Sequence, residues 1–171
     1  VLRQLSPRMH AYMRLQLDIL QEEAALYPAF PGSAFSTAQF TFGNSRLHTR
    51  RNDRDVIHGL RAITVLGKFT LCVCVIPANN VVIRCTPGTT VFIAGSVKDY
   101  FFTRVPPNET RYLFEQYFDA CVQRWIDRGF RSDVQYEEEA TPEEIAQVET
   151  QLANCVRFSM KLLSRMDELY V

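Results

Sequence analysis

Seven short β-like runs, separated by turn signals, occupy the middle of this chain from Phe35 to Phe118. In the first, 35–42, Phe35, Thr37, Gln39 and Thr41 alternate with Ser36, Ala38, Phe40 and Phe42. The second, 60–66, lies between Gly59 and Gly67. The apolar run 71–76 is closed by Pro77 and the Asn79-Asn80 pair. Runs 81–85 and 89–93 flank a Pro87-Gly88 turn, 101–105 ends at Pro106-Pro107-Asn108, and 110–118 is the last. Apolar runs of this length bounded by Gly, Pro and Asn predict strands. So many strands at such short spacing predict a sandwich, a jelly roll or a small barrel.

Both ends of the chain predict helix. Ser6-Pro7 has the N-cap and N1 residues of a helix start. Met9, Tyr12, Met13, Leu15, Leu17, Ile19, Leu20 and Leu26 follow on a broad helical stripe that ends near Tyr27-Pro28. A second helix covers 120–128, with Val122, Trp125 and Ile126, and stops at Gly129. Thr141-Pro142-Glu143-Glu144 is a capping box that opens a long helix through Ile145, Val148, Leu152, Val156, Phe158, Leu162, Leu163, Met166 and Leu169. The run Glu137-Glu138-Glu139 predicts a solvated linker ahead of that helix. The expected organisation is a single α+β domain: an N-terminal helix over 1–28, a β core over 35–118 and C-terminal helices over 120–171.

Composition narrows the function classes. Hydrophobic residues make up 47% of the 171 positions, enough for a core that folds without metal or disulfide. Nineteen basic and nineteen acidic side chains cancel, so no global field favours nucleic acid. Cys72 and Cys74, two apart in an apolar run, share one face of a strand. With Cys85, Cys121 and Cys155 they show no zinc spacing and predict buried free thiols in a reducing, intracellular compartment, nuclear or cytoplasmic. The longest apolar stretch, 71–76, is too short to cross a bilayer, and no secretory signal opens the chain. A first residue of Val rather than Met predicts a fragment or a processed chain with an upstream segment.

No phosphate loop, dinucleotide fingerprint or nucleophile elbow occurs. The segment 48–58, from His48 through Arg50, Arg51, Asn52, Asp53, Arg54 and Asp55 to His58, is the most polar part of the β region and sits between two predicted strands. A facial iron triad draws two histidines and a carboxylate onto one side of the ion. No His-x-Asp or His-x-Glu occurs, so a metal held by His48, Asp53 or Asp55, and His58 requires an irregular loop. Otherwise Arg50, Arg51 and Arg54 pair with Asp53 and Asp55.

Three strings in order carry a family likeness: GLRAITVLGKF at 59–69, PGTTVFI at 87–93, and ETRYLFEQY at 109–117 continuing to RWIDRGFR at 124–131. The chain resembles the TET/JBP-like iron and 2-oxoglutarate dioxygenases of basidiomycete fungi associated with KDZ transposons. That resemblance implies a double-stranded β-helix, or jelly-roll, core with flanking helices. It also implies Fe(II) and 2-oxoglutarate as cofactors and a 5-methylpyrimidine in nucleic acid, flipped into the pocket, as substrate.

Carried over position by position, the resemblance puts the first iron ligands on Arg50 and Asn52 and the distal one on Tyr100. Arginine cannot ligate iron, and all three positions are changed. Arg111 falls on the 2-oxoglutarate arginine, where a planar guanidinium suits a carboxylate; the other reading pairs it with Glu109 or Glu115. A shortened hairpin leaves the 71–76 strand as an apolar edge through which copies can associate. The expectation is a degenerate dioxygenase that has lost iron and acts as a binding or assembly module. One alternative is an active oxygenase whose displaced site uses His48, Asp53 or Asp55, and His58 or Tyr100. The other is a nucleic-acid-binding module using Arg46, Arg50, Arg51, Arg54 and Arg61 with Phe42 for stacking.

Overall fold

The structure, a computed structural model, describes residues 1–43 and 53–169. Its contacts divide the chain into two compact units, Thr37–Tyr117 and Val1–Ser36 with Phe118–Val171. The architecture is mixed α+β, with antiparallel sheets in the first unit and helices from both chain ends in the second. No described helix is long and apolar enough to cross a membrane.

The helical unit begins with a single turn, α1 (Leu2–Leu5), and α2 (Pro7–Ala24). Pro7 opens α2 with its φ already set. Met9, Met13, Gln16, Leu17 and Leu20 form its buried stripe at helical spacing. The helix stops earlier than its apolar pattern predicts, because Ala25 takes a left-handed φ of 52°.

Seven strands make the β unit: β1 (Thr37–Thr41), β2 (Arg61–Lys68), β3 (Cys72–Ile76), β4 (Val81–Cys85), β5 (Thr90–Ile93), β6 (Phe101–Phe102) and β7 (Thr110–Tyr117). They form two antiparallel sheets, ordered β1-β7-β2-β5 and β4-β3-β6. The core lies between the sheets. Ile63, Val65, Val91, Ile93 and Leu113 come from the larger one, and Cys72, Cys74, Cys85 and Phe102 from the smaller. In β7 the residues Arg111, Leu113, Glu115 and Tyr117 alternate inward, so two charged side chains occupy core positions. On the opposite side of β1 and β7, Phe40, Phe42, Tyr112 and Phe114 form a partly exposed aromatic strip; Phe40 stacks on Phe114 at 4.8 Å.

Cys72 and Cys74 do share a face, and Cys72 stands opposite Cys85. All three are buried free thiols. Burial and the neighbouring sulfurs push the Cys74 thiol up to about 12 and raise Cys85, which keeps both protonated. The 71–76 run is not an edge, however. β3 pairs with β4 on one side and β6 on the other, and the outer strands of its sheet are β4 and β6. On the β6 side the pairing covers Cys74 and Val75.

The rest of the helical unit comprises α3 (Ala120–Asp127), α4 (Asp133–Glu139), α5 (Pro142–Ala153) and α6 (Cys155–Lys161). Asp119 caps α3 by accepting from the Cys121 amide, and Gln123 of α3 donates to Gln16 of α2 at 3.0 Å. The acidic run expected to be a linker is helical. A reciprocal cap between Ser132 and Gln135 starts α4, and Tyr136 is buried with Arg128 and Arg131 over its ring. The capping box at Thr141 and Glu144 opens α5 as the sequence predicts. The long helix that should follow divides at Asn154, where φ −95° and ψ 2° leave helical geometry while its side-chain amide donates to the Thr150 carbonyl at 2.8 Å.

Candidate functional site

The largest departure from an ordinary apolar core is a three-membered ion cluster inside the β unit. Arg61, the first residue of β2, points inward. It donates from Nε to Asp55 Oδ2 at 2.9 Å and from Nη2 to Asp55 Oδ1 at 2.5 Å. Its remaining nitrogen, Nη1, donates to Glu115 Oε2 at 2.7 Å. All three side chains are 3% exposed or less. The guanidinium lies 3.9 Å over the ring of Tyr117, and Thr41 donates its hydroxyl to Glu115 Oε1 at 3.4 Å.

Each partner is delivered by a different element. Arg61 comes from β2, Glu115 from β7 and Asp55 from the turn before β2. Asp55 can enter because position 95 is glycine. A Cβ there would fall 2.5 Å from Asp55 Oδ2 and 3.5 Å from Arg61 Nε. Burial by itself lowers the proton affinity of Arg61. The hydrogen bonds and charge of Asp55, with the nearby Tyr100 and Glu115, outweigh it and raise the pKa. The centre is thus a permanently charged cation with both carboxylates turned onto it. Its guanidinium can neutralise and position groups and does not itself give up a proton.

A second buried guanidinium sits at the other end of the same strand pair. Arg111 stands opposite Gly67 of β2, six residues along that strand from Arg61 and so about 20 Å away. It is 1% exposed and donates Nη1 to the Thr103 carbonyl at 2.5 Å and to Cys72 Sγ at 3.5 Å, with the Phe102 ring 5.8 Å away. Of the two expected acidic partners, Glu115 is on Arg61, and Glu109 accepts from Thr70.

Several expected site residues can now be placed. Tyr100 is 2% exposed, belongs to the core and meets Phe102 edge-on at 6.3 Å, close enough to Arg61 to contribute to its field. Asp55 pairs with Arg61 rather than with Arg54, which is exposed, as is Asp53. Arg61 is equally lost to the proposed basic cluster, because a buried guanidinium cannot meet a phosphate backbone. Arg46, His48, Arg50, Arg51 and Asn52 lie outside the described residues. Among the described residues, no three His, Cys, Asp or Glu side chains converge as metal ligands do. Sequence reasoning missed Glu115 and Gly95 as parts of the cluster. The one signal was a charged residue among the inward positions of β2 and of β7, visible only once the inward face is known.

His58 lies in the turn that carries Asp55, and both its ring nitrogens are out of solvent. Burial pushes its pKa down to about 4, so the ring is neutral in the folded protein. The unfolded chain takes up this proton near pH 6.5, the folded one only near pH 4. Stability from this group is complete above pH 6.5 and is lost as pH falls toward 4, by about 3 kcal/mol at most. Urea unfolding at pH 7.5, 6 and 4.5 checks this. The wild-type midpoint should drop relative to that of His58→Asn as the pH falls, and parallel profiles would refute it.

Comparison with protein-family models and with curated proteins returns no match for this chain.

Proposed function

We propose that this chain is a degenerate member of the TET/JBP-like dioxygenases, with a double-stranded β-helix core, that acts as a non-catalytic binding or assembly module. The interleaved strand order supports the fold reading. The chain alternates between the sheets, with β2 and β5 in one, β3-β4 and β6 in the other, and β7 back between β1 and β2. Each sheet is thereby built from both halves of the β region, as a double-stranded β-helix requires.

The observation that carries the functional reading is the Asp55–Arg61–Glu115 cluster. Tyr100, the position matching the distal iron ligand, lies within the field of Arg61. Asp55, the buried carboxylate nearest the matched ligand segment, has both oxygens on that guanidinium. A fixed organic cation therefore occupies Asp55, one of the two carboxylates offered to a metal, and Tyr100 supplies a core ring rather than an imidazole. The donors do not fit iron, and no step through iron follows from them. The same geometry takes Asp55 and Tyr100 out of the displaced-site reading and leaves it Asp53 and His58, with His48 outside the described residues. The nucleic-acid reading loses Arg61 and keeps Arg54, which is exposed, and the exposed aromatic side chains of Phe40, Phe42 and Tyr112.

Anaerobic titration with Fe(II), followed by calorimetry and by electron paramagnetic resonance of the ferrous-nitrosyl adduct, tests the proposal. The expected result is no stoichiometric iron uptake and no succinate released from 2-oxoglutarate in air. Saturable one-to-one binding, or succinate release abolished in Asp55→Asn, would overturn it.

A further inference from the structure

We infer that α5 and α6 form the contact face of a homodimer, with a second copy of this chain lying antiparallel across them. The inference concerns the helical unit and stands independently of any reading of the β unit.

Helix α5 is twelve residues long, and neither it nor α6 has a single buried residue. Isolated helices of about 12–15 residues are marginal in water even with good caps, and most helical stability in proteins comes from packing one apolar face. The face exists here. On α5, Ile145, Val148 and Leu152 recur at i, i+3 and i+7. On α6, Val156 and Met160 lie one turn apart, and Leu163 follows. Ile145, Leu152, Val156, Met160 and Leu163 are each between 43% and 68% exposed. The other side of α6 is already used: Phe158 meets Tyr12 of α2 edge-on at 5.2 Å, and Leu162 is buried. The uncovered residues therefore point away from the unit's own packing.

Charge selects the occupant. The exposed charges of α5 are acidic, Glu143 and Glu149, and those of α6 are basic, Arg157 and Lys161. Glu144 is already committed to Arg131 at 2.5 Å. A two-fold axis near Asn154 sets the acidic half of one copy against the basic half of the other. A parallel arrangement would set like charges together. Covering the five exposed side chains in both copies removes on the order of 1,000 Å² from water, the lower limit for a specific interface.

The full chain should sediment as two chains at tens of micromolar in low salt, and dissociate as salt rises. Leu152→Glu and Val156→Glu alter exposed side chains, so their circular dichroism should match wild type while the dimer weakens by roughly tenfold or more. Glu149→Lys and Arg157→Glu should each weaken it, and the two together should restore it. A wild-type chain that stays monomeric at several hundred micromolar would overturn the proposal. So would a dimer indifferent to Leu152→Glu and Val156→Glu, or a double reversal that fails to restore association.

Discussion

Arg61→Met is expected to destabilise the β unit by about 3–5 kcal/mol, the cost of leaving buried carboxylates without their cation. Asp55 and Glu115 reach the core only because one guanidinium satisfies both. Methionine fills much of the same volume but offers neither charge nor donor. The loss is a large part of the total for a domain of this size. The single tryptophan, Trp125, lies on α3 in the helical unit, so its fluorescence does not report on the β unit. Amide exchange of β2 and β7 does, and those amides should lose most of their protection. Replacing the whole cluster, as Arg61→Met with Asp55→Leu and Glu115→Leu, should recover stability, because the uncompensated charges go with it. A loss below about 1 kcal/mol in Arg61→Met would mean that the cluster is hydrated in solution rather than dry.

Gly67→Ala should cost about 3 kcal/mol or more, from two sources. Gly67 has a φ of 122°, which side-chain-bearing residues avoid at about 1–3 kcal/mol. A Cβ there would also run into the backbone carbonyl oxygen of Thr110 on β7. A flexible side chain could move aside; a paired strand cannot without opening the β2–β7 ladder. Gly88→Ala is the internal comparison, since its φ is 90° and a Cβ there meets nothing within 4 Å. It carries the conformational cost alone. Equilibrium urea unfolding of both variants should show Gly67→Ala as the more damaging by a clear margin. Equal midpoints would remove the steric half of the explanation.

Gly67 also shows how far local sequence reaches. As a turn-former it marks the end of a strand, and the predicted run stops at Leu66 for that reason. In the structure β2 continues through Lys68, because Gly67 pairs with Arg111 across the ladder and close strand approach needs a residue without a side chain. The acidic run at 137–139 teaches the same lesson from the other side. Its charges look like linker, yet Ser132 and Gln135 form a capping box just upstream, and that local signal wins. At Asn154 the backbone leaves helical geometry and divides into α5 and α6 what apolar periodicity alone extends to Leu169.

The sequence by itself determined that short strands with period-two alternation fill the middle of the chain, and that helices stand at both ends, side-chain-capped in the C-terminal part and opened by Pro7 without a Ser6 cap bond in the N-terminal one. These follow from interactions within a few residues: Pro at N1, Ser or Thr caps, and Gly, Pro and Asn between apolar runs. It also carried Cys72 and Cys74 to one face, since strand geometry leaves no choice. Tertiary structure alone decided where the charge goes. Arg61, Asp55 and Glu115 are ordinary polar residues when read along the chain, and the six and fifty-four positions that separate the acids from Arg61 give no hint of a common centre. Whether a strand's charged side chain faces solvent or core depends on which face its neighbours cover. Only the sheet order β1-β7-β2-β5, with Gly95 leaving room for a carboxylate, turns those three inward together. Long-range pairing fixes that choice, and no pattern confined to one strand encodes it.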